Sequence, residues 1–337
     1  MKILFAGWHN PFFISITEYI EKALENLGHQ LEKFEYRQFL VPGRLRQRFS
    51  FLEHYDLARI NKKFYASVER LRPDLVFVLQ GTIILPETIS EIRKKYRIAT
   101  VNWFIDYPTE LENSLLLAKY YEFFFVSNTH AMLKHHACGN RSVKTLNFAC
   151  YPEWQTPQEL SPAEKKKYGR DVVFVGSRYI DRENVLNSLS GFDLGLWGPG
   201  WDALSKTSSL RRCYRGGQIG PQVWAKIFSA AKIVLNINYG FGSLPEEDRN
   251  PGSVKLFEIL ACGAFQMVDA QKAITDIFTN QKHLVTFCDT ADLKNKIKYY
   301  LNNPAEREAI ARQGRKEALA KHTYEQRMQE MLSFIKI

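Results

Sequence analysis

Short apolar runs alternate with stretches of helical periodicity along the first half of the chain. Ile3 to Ala6 is a continuous apolar run of strand length. From Ile14 to Leu27 apolar residues recur at helical spacing and stop at Gly28, a helix-ending residue. Asp74 to Leu79 is a second apolar run, entered through Pro73, and Pro86 to Tyr96 is a helical stretch with proline in its first turn. Ile98 to Trp103 and Phe123 to Val126 read as strands, with a helix from about Leu111 to Tyr120 between them. Strands apolar on both faces, alternating with helices, predict a parallel sheet covered on both sides.

The alternation breaks between Tyr151 and Arg170. Pro152, Pro157, Pro162 and the run Glu164-Lys165-Lys166-Lys167 predict an interdomain linker. Strands then resume at Asp171–Val175, Phe192–Trp197, Lys232–Asn236 and Phe265–Val268. Helices are expected at Pro221–Ala230, Ser253–Ala261, Asp289–Leu301, Pro304–Ala320 and about Tyr324–Ile335. The pattern therefore predicts an α/β protein of two Rossmann-like, doubly wound domains, residues 1–155 and 156–322. Ligands of such sheets sit at the carboxyl ends of the strands, so two sets of strand-end loops are expected to face across a cleft.

Length agrees with two domains, because 337 residues exceed what one core usually serves. With 45% hydrophobic residues the chain is not a wholly disordered one. No apolar run approaches the roughly 20 residues that span a bilayer. The first apolar run is too short for a signal peptide, so a cytoplasmic location is expected. The five cysteines form no C-x-x-C pair, which points to reduced, mostly buried thiols rather than a zinc site or disulfide framework. The formal charge of +10 favours an anionic partner without choosing among phosphate, nucleic acid and an acidic membrane face.

Three segments carry candidate chemistry. Asn250-Pro251-Gly252-Ser253 is a turn that opens a helix running to Gly263. The N–H groups at that helix start, from Gly252 to Val254, suit an anion; Gly252 permits close approach of a phosphate, and Ser253 adds a hydroxyl. Glu258, alone on an apolar stretch, suits the two hydroxyls of a ribose. Gly176-Ser177-Arg178 ends one strand, and Arg182 follows at a spacing that shares a face with Arg178 if helical. Two guanidinium groups there fit a diphosphate. Trp197-Gly198-Pro199-Gly200-Trp201 ends the next strand, a loop able to flank a flat base.

Taken together these segments resemble the GT-B glycosyltransferases, most closely the CgeB-like (spore maturation protein) branch. The likeness is carried by Lys2–Gly7, Arg72–Val76, Trp103-Phe104-Ile105-Asp106-Tyr107-Pro108, Phe174-Val175-Gly176 with Arg182, Leu256–Gly263 and His322-Thr323-Tyr324 with Arg327. It implies transfer of a sugar from a nucleotide-diphosphate donor to a glycan, protein or small-molecule acceptor, with the acceptor on the N-terminal domain and the donor on the C-terminal one. It also implies that the last helix, within 323–337, packs back on the first domain. In related retaining enzymes a Glu-x7-Glu motif spans the helix start. Its second acid maps to Glu258; its first position holds Asn250, an amide without charge. Lys255 takes the place of a frequent arginine and becomes a diphosphate candidate.

GT-B enzymes generally work without a bound metal or other cofactor, and none is expected here. No D-x-D motif lies in a metal-binding context, and the adjacent His135 and His136 would point about 100° apart on a helix. An inverting reaction needs a base, for which Asp106, His130 and His9 are the candidates. Other classes fit less well. A dinucleotide enzyme would carry G-x-G-x-x-G where this chain has Gly7-Trp8-His9-Asn10-Pro11. No nucleic-acid-binding motif is present, and no nucleic acid partner is expected. The cluster of Arg44, Arg46 and Arg48 with Phe39, Phe49 and Phe51 could touch an acidic acceptor or, peripherally, an anionic membrane. The loss of the first acid leaves open a catalytically silent sugar-nucleotide-binding protein.

Overall fold

The computed structural model describes residues 1–107, 109–249 and 253–335. The chain divides into two compact units: Met1–Asn147 together with the segment from Arg327 onward, and Phe148–Gln326.

The first unit runs β1 (Lys2–Gly7), α1 (Ile16–Asn26), β2 (Gln30–Glu35), α2 (Gly43–Arg48), α3 (Ser50–Leu71), β3 (Leu75–Leu79), α4 (Pro86–Tyr96), β4 (Ala99–Phe104), α5 (Leu111–Leu117), β5 (Phe123–Val126), α6 (Thr129–Ala137) and β6 (Lys144–Thr145). The strands pair in the order β2-β1-β3-β4-β5-β6, all parallel. Every residue of β3 is buried, as a central strand covered on both faces requires. Phe64, Ile89, Ile92 and Phe124 pack with Leu4, Val76 and Val78 in one core cluster.

The second unit contains α7 (Pro162–Tyr168), β7 (Val172–Val175), α8 (Ile180–Asn187), β8 (Leu194–Trp197), β9 (Tyr214–Gly216), α9 (Pro221–Ala230), β10 (Ile233–Asn236), α10 (Val254–Ala261), β11 (Gln266–Asp269), α11 (Lys272–Thr275), β12 (Val285–Phe287), α12 (Thr290–Asn302) and α13 (Pro304–Lys321). Its sheet is again parallel, ordered β12-β11-β10-β7-β8-β9. A last helix, α14 (Tyr324–Phe334), begins in this unit, and from Arg327 it groups with the first. There the Phe334 ring lies 5.9 Å from that of Phe125, and the Lys144 ammonium sits 3.8 Å over Phe334.

The expected linker is not one. Residues 151–170 belong to the second unit and are bonded into it. Cys150 pairs with Thr323 in an isolated parallel bridge, its N–H donating to the His322 carbonyl at 2.8 Å. The Gln155 side chain is fully buried, and Lys226 of α9 ties down Glu164 of α7 at 2.6 Å. The prolines shape a packed connection, and the chain passes between units at residues 147 and 148 rather than near 155.

Candidate functional site

In the second unit the strand ends come first. The apolar runs of β7 and β8 stop at Gly176 and Gly198, which meet with no room for a side chain. A Cβ on Gly198 would lie 2.1 Å from the Gly176 oxygen, and Gly198 has φ of 134°. The Gly176 N–H donates to the Trp197 carbonyl at 2.9 Å, and the Trp201 indole N–H donates to the Gly176 carbonyl at 2.8 Å. Trp197 and Trp201 are both buried, so neither ring is offered to a base; they belong to the core, which corrects the base-flanking expectation.

Arg182 reaches from the first turn of α8 to two carbonyls at the strand ends. Its Nε donates to Ile237 at 2.8 Å and its Nη1 to Ser177 at 3.0 Å. Burial lowers its pKa below the ordinary arginine value, against the opposing pull of Tyr179, Asp269 and Asp181. Arg178 does not share a helix face with it. Tyr179 is extended and α8 starts at Ile180, so the four-residue helical spacing does not apply. Arg178 instead pairs with Glu183 at 2.6 Å.

The third segment gathers at α10. Ser253 occupies the N-cap position with extended backbone, and its side chain makes no capping hydrogen bond. Val254 and Lys255 form the first turn. Asn250 and Gly252 lie outside the described residues. Glu258 is 4% exposed although its helix is otherwise apolar on every buried position. Lys255, one turn earlier, donates to its Oε2 at 2.7 Å, while the Gln155 amide donates to Oε1 at 3.1 Å. Gln155 is itself fixed, accepting from the Tyr151 N–H at 2.7 Å. The Lys255 ammonium also stands 4.2 Å over the Trp224 ring. A carboxylate has about four acceptor positions, so two donors leave Glu258 able to accept more.

The sequence pattern did not single out Gln155, nor the buried Asp269 that ends β11. The Asn238 N–H and side-chain amide donate to Asp269 Oδ1 at 2.8 and 3.0 Å, and Gln271 donates to Oδ2 at 2.6 Å. Burial raises its pKa, against those hydrogen bonds. An acid directly after the apolar pair Met267-Val268 was the available signal. A cavity of about 260 Å³ elsewhere in this unit is bordered by Asp181, Arg249 and Thr290, and, among the described residues, by none of the donor residues expected from sequence.

The first unit holds the three base candidates at the ends of its strands. His9, after β1, has both ring nitrogens engaged: Nδ1 with Glu35 at 3.0 Å and Nε2 with Glu21 at 2.8 Å. Burial works to lower its pKa, but Glu21 and Glu35 outweigh it and the pKa is raised. An imidazolium donating to two carboxylates has no lone pair with which to take a proton. His130, on the first turn of α6, has a buried Nδ1 with no hydrogen-bond partner among the described residues. Its helix is capped by Asn128, which accepts from the Ala131 N–H at 2.8 Å.

Asp106 follows β4 and is exposed, yet its pKa is raised, first by desolvation and then by Glu110, with Arg37 opposing. Gln80 orients it. This residue follows β3 in a left-handed conformation, φ 65°, rare for a side chain other than glycine. Its amide donates to Asp106 Oδ2 at 2.7 Å and accepts from the Ile105 N–H at 3.1 Å. Its own main chain is held by the Trp103 carbonyl at 2.9 Å and the Asn102 side chain at 3.0 Å. A left-handed backbone held by four hydrogen bonds beside an exposed acid makes Gln80 and Asp106 a candidate pair.

Among the described residues no group of three or more His, Cys, Asp or Glu could hold a metal ion, and no helix is long and apolar enough to cross a membrane.

Residues 178–333 match the family model described as glycosyl transferase-like. The solved sucrose-phosphate synthase of Thermosynechococcus elongatus superposes with a TM-score of 0.71 at 13% identity, covering 99% of this chain and 98% of that one. Anabaena HepE in complex with UDP-glucose gives a TM-score of 0.63 at 16% identity, covering 99% of this chain and 100% of its own. The fold is the GT-B glycosyltransferase fold, and the segment from Arg178 carries the glycosyl transferase-like sequence pattern. The sequence is also similar to spore protein CgeB of Bacillus subtilis, 20% identical over 273 residues that cover 77% of this chain and 82% of that protein.

Proposed function

We propose that this protein is a glycosyltransferase that takes its sugar from a nucleoside-diphosphate donor without a bound metal. The observation that carries the reading is Glu258. It is a buried carboxylate on an apolar helix, held from both sides by Lys255 and Gln155. A protein does not bury a charge without a use or a full set of partners. Glu258 lies one turn inside a helix start, where N–H groups favour a phosphate. A ribose on Glu258 and a diphosphate at Ser253 to Lys255 make a coherent donor footprint. Loss of the diphosphate during transfer builds negative charge, which the helix start, Lys255 and the Arg178 side chain would stabilise. Arg182, spent on two carbonyls, acts as a brace for the loop that carries Gly176 and Ser177.

On the acceptor side we assign Asp106 as the group that orients or deprotonates the acceptor hydroxyl, with Gln80 positioning it. His9, with both ring nitrogens held by carboxylates, is assigned a structural role instead. HepE is solved with UDP-glucose, so that donor is the first to try. Titrating UDP, GDP and TDP by thermal shift tests the reading, since a ligand of the native state raises the melting temperature. A rise with one base and release of the nucleotide from its sugar conjugate is the expected result. A folded protein indifferent to all three would refute it.

The uncharged Asn250 favours one second reading, a binding protein that holds a sugar nucleotide without cleaving it. Saturable binding with no nucleotide release from any tested donor, with or without acceptor, would select that reading.

A further inference from the structure

The segment Tyr36 to Leu52 contains Arg37, Arg44, Arg46 and Arg48 and no acidic residue. Part of it forms α2, a helix with no buried residue at all. A helix of six residues that buries nothing contributes nothing to a core, yet Leu45 stands on this one and apolar side chains flank it. Leu40 and Phe51 are each 67% exposed and Tyr55 is 59% exposed, and Leu45 and Phe49 are exposed beside them. Arg44 and Arg48 are exposed between them.

This protrusion is firmly based. Buried Asp56 of α3 accepts the N–H groups of Leu40 and Val41 at 3.1 and 3.0 Å, and Arg59 bridges Asp56 to the Gln38 carbonyl. Arg46 packs its guanidinium 3.5 Å over the Phe39 ring and donates to the Val41 carbonyl at 3.1 Å. The Phe49 and Phe51 rings lie 5.9 Å apart. The apolar tips are therefore displayed by a built turn. Exposed apolar residues clustered in this way mark an interaction surface. Arginines interleave them from Arg44 to Arg48, and exposed Glu53 is the one acid between residues 40 and 55; that excess of positive charge selects a partner that is apolar beneath and negative at its face. That describes an anionic bilayer, with apolar tips at the acyl boundary and guanidinium groups among the lipid phosphates.

We propose that the turn of residues 40–55 is a peripheral anchor that seats the first unit on an anionic membrane. The proposal is independent of the donor site. It is tested with the full chain by co-sedimentation with vesicles of phosphatidylcholine alone and of phosphatidylcholine with phosphatidylglycerol. The wild type should bind the second and not the first. R44Q/R48Q should weaken binding by roughly 25-fold, at about fivefold per arginine. L45S/F51S should abolish it while leaving the melting temperature unchanged, because both residues are exposed. No binding to either vesicle overturns the proposal. So does binding that L45S/F51S leaves intact, which would mean charge attraction without insertion. So does a concentration-dependent oligomer that L45S/F51S dissolves, which would make a second copy of the chain the occupant.

Discussion

At the scale of single residues, function and stability separate by which partners each group already has. Glu258→Gln keeps the shape of the side chain but removes its charge. A hydrogen bond to a charged group contributes about 1.5–3 kcal/mol, so nucleotide affinity should fall roughly 10- to 100-fold by calorimetry. Unchanged affinity would dismiss Glu258 as the ribose ligand. Gln80→Gly relieves a left-handed conformation that costs an L-residue about 1–2 kcal/mol, while deleting the amide that aims Asp106. The melting temperature should hold or rise as turnover falls; equal turnover would leave Gln80 a merely strained residue. His135 makes a third case. It is fully buried, its Nε2 is 2.5 Å from the Ser114 hydroxyl, and burial, with help from His136, lowers its pKa to about 4. The unfolded imidazole binds its proton near 6.5, so between these values the unfolded state holds more protons and stability rises with pH. The native state should therefore lose up to about 3 kcal/mol as pH falls from 6.5 towards 4. His135→Gln should flatten that part of the melting-temperature profile. A profile identical to the wild type would show that another group carries it.

At the scale of elements, close backbone approach sets the tolerances. Gly198 against Gly176 is one such contact. Another is Gly314 in α13, where a Cβ would lie 2.1 Å from the His283 carbonyl. Gly314→Ala should lower the melting temperature markedly, because the obstacle is backbone, and an unshifted transition would show that α13 can slide. The central strands were legible in sequence because both their faces are buried and apolar residues dominate them, as in β3 and β7. The edge strand β2 was not: Gln30-Leu31-Glu32-Lys33-Phe34-Glu35 buries Phe34 alone. Nor was α3, whose Ile60, Phe64 and Val68 make a stripe too narrow to stand out among charged neighbours. Prolines at Tyr151–Arg170 suggested a linker because composition reports backbone conformation, not the partners that Gln155 and Cys150 find far along the chain. The candidate site was legible where local spacing sufficed, as at the start of α10. It was hidden where two distant segments meet, as at Gln80 with Asp106 and Gln155 with Glu258.

At the scale of the whole molecule, the first unit is built from both ends of the chain. Met328 and Met331 of α14 are fully buried, and Phe334 meets Phe125. Deleting everything from Arg327 should destabilise the first unit and leave the second nearly intact. Limited proteolysis would then return a protected fragment close to Phe148–Gln326. Equal resistance of both units would show the terminal helix to be dispensable.

That arrangement also has a consequence in time. About 180 residues separate Asn147 from Arg327. At synthesis rates of about 5–20 residues per second, roughly 9–36 s elapse between emergence of the first unit's body and arrival of its closing helix. The second unit, continuous in sequence, is complete first. The body of the first unit thus emerges before the second unit yet closes after it, and through that interval it waits without the helix that completes it.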